Sequence, residues 1–271
     1  MQKNEGNIRL QYTGFSKTPL LWKGKTVFDL NQFKHQNRSS ISFNLAVDRN
    51  LRLGKLVERF VSFDFQNTPN IKIIAENIQI QNGKITLGEF DCLLVKNNTP
   101  IHIEIIYKFY LYNPKVNESE LHKWVGPNLK DSLVKKLKKL KDKQFPLLFS
   151  KQSEHYLEKL NLVKKNIKQQ VYFKAQLYIP FTYEKYNFSI INNNCIIGSY
   201  CNYIELSQFS KYKFYIPNKH DWLIIPHKNV TWRNYKEAHD EITKFIKQER
   251  SPLCWIKKNN GELIKLFVVW W

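Results

Sequence analysis

Four side chains set what chemistry this chain could do: Glu89, Asp91, Glu104 and Lys108, all on two apolar-polar alternating runs within TLGEFDCLLVKNNTPIHIEIIYKFYL. The alternation, broken by a polar Lys-Asn-Asn-Thr stretch, predicts a β-hairpin. Residues of like parity share a strand face, so Leu87, Glu89, Asp91 and Leu93 point one way, as do His102, Glu104, Ile106 and Lys108 on the next strand. A four-residue loop from Lys96 to Thr99 pairs Val95 with Pro100, and the same register sets Asp91 opposite Glu104. Charges on an apolar hairpin are costly without a user. Two carboxylates within reach of one cation make a divalent metal the natural one.

The neighbouring elements must position these groups. Upstream, LRLGKLVERFVSFDF places Leu53, Leu56, Val57, Phe60 and Val61 at helical spacing behind Asp48 as N-cap, and carries Glu58 on an adjacent face. IKIIAENIQI reads as a strand that turns through Asn82-Gly83 into the hairpin. Downstream, Asn128 is placed to cap a helix, with Asp131 in the capping-box position and Pro146 as its stop. Its inward stripe is Leu129, Leu133, Leu137, Leu140 and Gln144; Lys135, Lys136, Lys138, Lys139, Lys141 and Lys143 cover the other faces. An amphipathic stretch near His155 to Lys168 and the strand VYFKAQLYIPFTY complete an αβββαβ order. Residues 1–47 read as an extension that packs on the core through Leu20, Leu21 and Trp22, and 48–183 as the core itself. Residues 184–271 read as a smaller C-terminal α+β unit: short strands at Ile196 to Tyr200 and Trp222 to Ile225, a helix from Arg233 to Lys247, and a last strand in LIKLFVVWW.

Composition bounds the partners. The 271 residues include 43 Lys and Arg against 23 Asp and Glu, a net charge of +20. That excess favours a polyanion such as nucleic acid, through counterion release. The abundance of Lys, Asn and Ile also fits the bias of an AT-rich genome, so charge alone does not decide. No signal peptide or membrane-spanning run is evident, which predicts a cytoplasmic protein with no membrane partner. The four cysteines form no CxxC pair and predict reduced thiols. His220 and His227 lack metal-ligand spacing, and neither a GxSxG elbow nor a Gly-rich phosphate loop is present. The C-terminal tryptophans read as core aromatics.

The acids and their order resemble the PD-(D/E)XK superfamily of restriction-endonuclease-like nucleases. There an Asp ends one strand, a Glu and a Lys sit on the next, and a preceding helix often adds a Glu. More narrowly, LGKLVERF, IIAENIQI, TLGEFDCLL, HIEIIYKFYL, KWVGPNLKDSL and KKLKDKQFPL are similar to successive blocks of the bacterial family known as domain of unknown function 1853. The resemblance covers roughly Leu51 to Leu148 and is weaker towards the C-terminus. It implies an α/β fold with a mixed sheet and a metal-dependent nuclease acting on nucleic acid, DNA in the first instance. By the same resemblance Asp91, Glu104 and Glu58 bind Mg²⁺ or Mn²⁺, and Lys108 orients water or stabilises charge on the phosphorus. Gln144 and Glu89 are accessory, and Lys135, Lys136, Lys138 and Lys139 track phosphates. One departure stands out: Ile106 occupies the usual lysine position, and Lys108 follows on the same face about 7 Å further along.

Plainer readings stand beside these. Glu104 and Lys108 could be a structural ion pair, Glu89 and Asp91 solvated acids, Glu58 a helix partner of Lys55, and His102 a surface histidine. At the level of function the alternatives are a nuclease-fold protein that binds nucleic acid without turnover, and a structural or partner-binding protein.

Overall fold

The computed structural model describes residues 2–35, 43, 51–183 and 186–271. In chain order its main elements are α1 (Gln2–Lys17), α2 (Leu53–Gln66), β1 (Ile71–Asn82), β2 (Ile85–Lys96), β3 (Thr99–Tyr112), β4 (Trp124–Val125), α3 (Leu133–Lys139), α4 (Glu154–Lys159), β5 (Lys168–Pro180), β6 (Ile196–Asn202), β7 (Lys213–Tyr215), α5 (Tyr235–Ile246), β8 (Leu253–Lys257) and β9 (Leu263–Val269). Contacts divide them into two units. The hairpin unit comprises Leu20–Tyr107 and Lys135–Lys174; the second unit comprises Met1–Pro19, Lys108–Val134 and Ala175–Trp271. Asp48 lies outside the described residues, and the expected divisions near 47 and 184 fall on or beside such residues.

In the hairpin unit the strand order is β1-β2-β3-β5, with β1, β2 and β3 antiparallel. Both turns are tight. Asn82 pairs with Ile85 across Gly83 (φ 59°), and Lys96 pairs with Thr99 across Asn97 and Asn98 (φ 47° and 62°). Two successive positive φ values are what a two-residue hairpin turn of matching twist requires, and Asn tolerates them. The loop is thus two residues rather than four, yet Val95 still pairs with Pro100.

α2 buries Leu56, Val57, Phe60 and Val61, the stripe its spacing demands. It starts after Arg52, whose side chain makes no capping bond. Ile80, Phe90, Leu93, Leu148, Leu157 and Ile167 form a fully or largely buried cluster in the same unit.

The lysine-rich helix differs from its sequence reading. It begins at Leu133, because Leu129 adopts φ 58° and is 40% exposed. Asn128 accepts from the Ser251 backbone N–H at 2.8 Å instead of capping, and Asp131 binds the Ser132 N–H at 2.9 Å. After Lys139 the helix widens into a π-turn over Leu140–Gln144, closed by Phe145 N–H donating to the Leu140 carbonyl at 2.9 Å.

The second unit orders its strands β5-β6-β9-β8-β7, with β5–β6 and β6–β9 parallel and β9–β8 and β8–β7 antiparallel. Both units therefore mix helices with sheet, and the class is α+β with mixed strand directions. α5 carries a capping box from Asn234 and Glu237. Residues 2–17 are helical. One expectation fails here: Lys219–Leu223 forms a 3₁₀ turn where a strand from Trp222 to Ile225 was expected. All four cysteines are buried and none forms a disulfide. Among the described residues no helix is long and apolar enough to cross a membrane.

Candidate acidic site on the opened hairpin

Asp91 sits where backbone pairing gives way on both sides of β2. Towards β3 the ladder runs from Lys96–Thr99 to Cys92–Ile103. At the next step Asp91 Oδ2, rather than a backbone carbonyl, accepts the Ile105 N–H at 2.9 Å. Towards β1 the pairs pass from Glu76–Cys92 to Ile78–Phe90, bypassing Asn77, which holds φ 55°. Local irregularities of this kind re-aim side chains and are frequent beside active sites.

Glu104 is fully enclosed, with 0% side-chain exposure. Its Oε1 lies 3.2 Å from His102 Nε2, and its Oε2 accepts from the Gln144 amide nitrogen. Gln144 Oε1 in turn accepts from Lys136 Nζ at 2.9 Å. Gln169 Nε2 donates to His102 Nδ1 (3.1 Å) and to the Phe145 carbonyl (2.8 Å). Because Nδ1 is the acceptor, the proton resides on Nε2 and is donated to Glu104. The imidazole packs between Phe90 and Phe145, with ring centroids 4.8 and 5.7 Å away. His102 is therefore a buried part of the site and not a surface histidine.

Glu58 and Glu89 share one cation. Lys55 Nζ contacts Glu58 at 2.8 Å, Glu89 at 2.6 Å and the Asn77 side-chain carbonyl at 2.8 Å. Lys55 thereby joins α2 to the irregular stretch of β1 and to β2.

Burial dominates the electrostatics. It pushes the Asp91 carboxyl up to about 7, aided by the charge of Glu104 and opposed by the Ile105 N–H, Lys136 and Lys55. Glu104 is raised by burial against the pull of Lys136 and the Gln144 hydrogen bond. Glu58 rises to about 6, again mainly through burial, with its Lys55 hydrogen bond opposing and the charges of Asp91 and Glu89 adding to the rise. Burial lowers His102 to about 4, so it is neutral near pH 7.

Glu58, Glu89, Asp91, Glu104 and Gln144 are thus brought into one interacting group, and Lys136 is the lysine that acts on both central acids. Lys135, Lys138 and Lys139 are exposed on α3. Lys108 lies in the second unit, where its Nζ binds Asp131 Oδ2 at 2.6 Å. Among the described residues no group of three or more His, Cys, Asp or Glu side chains is arranged to hold a metal ion. Sequence reasoning missed His102, Gln169 and the bridging role of Lys55. The alternation that put His102 on the face of Glu104 was the one available signal for it.

Fold and site together define a mixed α+β protein with a buried acidic centre on an opened hairpin. Residues 23–269 match the family model described as Domain of unknown function (DUF1853), and the chain belongs to that family. No curated protein and no solved structure matches it.

Proposed function

We propose that this chain is a metal-dependent nuclease of the PD-(D/E)XK, restriction-endonuclease-like class, hydrolysing phosphodiester bonds of nucleic acid, DNA in the first instance. The observation that carries the reading is the meeting of Asp91 and Glu104 at the opened end of the β2–β3 ladder, where the charge of Glu104 helps to raise Asp91 and that of Lys136 acts on both. The order α2-β1-β2-β3-α3-β5, interrupted by the two-residue β4 before α3 and by α4 after it, supports the superfamily.

Asp91 can offer a small hard cation one carboxylate oxygen, and Glu104 a second once the His102 or Gln144 hydrogen bond is exchanged. Asp91 spends Oδ2 on backbone, which leaves Oδ1 to face a ligand, and Glu104 is its immediate acidic neighbour. Mg²⁺ usually takes one or two carboxylates and completes its shell with water and substrate phosphate. A pair of carboxylates without a third clustered ligand suits it for that reason. When bound, such an ion supplies the charge that polarises a phosphate oxygen and acidifies a water. Gln144 and His102 orient Glu104, while Lys136 places positive charge next to the acids where a phosphate would lie. Glu58 is held by Lys55 and would join through water or after that ion pair opens. Lys135, Lys138 and Lys139 offer a phosphate-tracking face.

The test is incubation of purified protein with plasmid, linear and single-stranded DNA and with RNA, in Mg²⁺ or Mn²⁺, beside Asp91→Ala and Glu104→Ala. Cleavage abolished by either substitution and by EDTA is expected. Undiminished cleavage in both variants would falsify the site. A second reading, a nuclease-fold protein that binds without turnover, draws on the complete enclosure of Glu104 and the pairing of Lys108 with Asp131. Salt-sensitive binding with no cleavage of any substrate is its signature.

A further inference from the structure

The hairpin unit also contains a cavity of about 350 Å³ lined by Lys25, Lys34, Lys96, Asn31, Gln32 and Gln170, with Gly24 at its rim. We propose that this pocket binds a multiply charged phosphate group, as carried by a nucleotide or by a nucleic-acid end. The inference goes beyond the acidic site and does not depend on it.

The argument begins with charge. Three lysines line the cavity, and no acidic residue does so among the described residues. The lysines in ion pairs among the described residues are Lys55, Lys108, Lys141, Lys164 and Lys258, none of them in this pocket. Asp29, the nearest acid along the same segment, is held by Lys141 at 2.5 Å. Ammonium groups gathered without an internal counterion repel one another, and a polyvalent anion relieves that repulsion.

The walls are fixed before any ligand arrives. The segment from Leu20 to Phe33 is bound along β5: Leu21 N–H donates to the Phe173 carbonyl at 2.8 Å, Phe33 N–H to the Val171 carbonyl at 2.7 Å, and Val171 N–H to the Asn31 carbonyl at 2.9 Å. Gln32 is 8% exposed, and its amide clasps the Phe173 backbone in both directions, at 3.1 and 3.0 Å. Lys96 is oriented by the Lys34 carbonyl at 2.6 Å and by the face of Phe33, 5.0 Å from the ring centroid. One ammonium has three donors, so this anchoring leaves Lys96 able to donate into the cavity. Gly24 turns the rim at φ 79°, where a side chain would be strained. Asn31 and Gln170 add neutral amide groups. One oriented ammonium, two further lysines and neutral amides around a volume at the lower end of small-molecule sites match a compact anion.

The experiment is calorimetric titration of the full chain with pyrophosphate in EDTA. It is run beside Lys25→Ala/Lys34→Ala, Lys25→Arg/Lys34→Arg, Asp91→Asn and a control pair in the other unit at the C-terminal end of α5, Lys244→Ala/Lys247→Ala, with melting curves to confirm folding. Saturable binding is expected, weakened at least tenfold in the first double variant and nearly retained in the arginine variant, the α5 pair and Asp91→Asn. No saturable binding, or an equal loss from the α5 pair, overturns the proposal. Oligonucleotides with and without a 5′-phosphate distinguish the source. A preference for the phosphorylated strand that Lys25→Ala/Lys34→Ala abolishes assigns the pocket to a nucleic-acid end. Pyrophosphate binding without that preference assigns it to a free nucleotide or anion.

Discussion

Gln144 joins Lys136 to Glu104: its amide oxygen accepts the lysine Nζ at 2.9 Å, and its amide nitrogen donates to the glutamate Oε2. A neutral side chain so placed holds a buried anion and a cation in register without neutralising either. The π-turn makes the alignment. On an ideal helix, residues eight apart differ by about 80° around the axis. The wider turn at Leu140–Gln144 takes up much of that offset.

Gln144→Ala should therefore destabilise the hairpin unit, since it removes a donor from an enclosed carboxylate. A loss of roughly 1–3 kcal/mol in urea unfolding is expected. Gln144→Glu should be worse, because it sets a second carboxylate against Glu104. Equal stability of the two variants would count against the bridge.

Asp91 should contribute a pH dependence of unusual sign to the stability. Asp91 is raised to about 7 in the folded protein, from an ordinary 3.8, so the folded state binds that proton more tightly than the unfolded chain. Its contribution is greatest at low pH and disappears as pH rises through about 7. His102, lowered to about 4, acts in the opposite sense between about 4 and 6.5. From pH 6.5 to 8 Asp91 should cost the metal-free protein about 1 kcal/mol, with Glu104 adding to the loss, while buried Lys265, lowered to about 7, works in the opposite direction. The Asp91 part alone, read as the difference from Asp91→Asn, corresponds to a few degrees in Tm. Asp91→Asn should remove the carboxylate part of that dependence, and Mg²⁺ at pH 8 should restore part of the loss in the unaltered protein. Parallel profiles of the unaltered protein and Asp91→Asn from 6.5 to 8 contradict this account.

The sequence disclosed the parts of the site that follow from local pattern. Alternation placed Asp91 and Glu104 on neighbouring strands in the observed register, and the stripe of the lysine-rich helix brought Gln144 towards them. What it hid depends on contacts between distant segments. His102 looks exposed beside a turn, but Phe145 and Gln169, more than forty residues away, cover it. Leu129 fits a helical stripe by spacing, yet its left-handed backbone ends the pattern before the helix starts. α1 escaped because its residues carry no clean apolar period. Within it Gly14 makes a close approach: a Cβ there would meet the Leu223 carbonyl oxygen at 1.9 Å.

His102 should remain the neutral Nε2–H tautomer down to about pH 5. Its ring nitrogens, followed by ¹⁵N NMR, should show no titration near 6.5, where an exposed imidazole changes charge. His102→Leu keeps the packing against Phe90 but leaves Glu104 Oε1 and the Gln169 amide without their partner. A destabilisation on the order of 2–4 kcal/mol is expected from two buried polar groups. Titration of His102 at 6.5 would show that the ring is hydrated and that the network is open.

Lysine substitutions separate the strand-borne cation from the helix-borne one. Lys108 is two residues beyond the position a Glu-x-Lys pattern would use, and its ammonium is committed to Asp131 at 2.6 Å. Lys136 is held by Gln144, and its charge is felt at both Asp91 and Glu104. If phosphate is cleaved at these acids, the cation that stabilises charge on it should be Lys136. Lys136→Met should then lower kcat at least 100-fold, with Mn²⁺ binding by titration weakened no more than a few-fold, since a lysine is not a metal ligand. Lys136→Arg keeps the charge but not the compact shape, and should recover only part of the rate. Lys108→Met should cost less than tenfold and act mainly through stability, by leaving Asp131 without its partner. The reverse order, a larger rate loss from Lys108→Met than from Lys136→Met at equal folded fraction, would return the catalytic role to the strand.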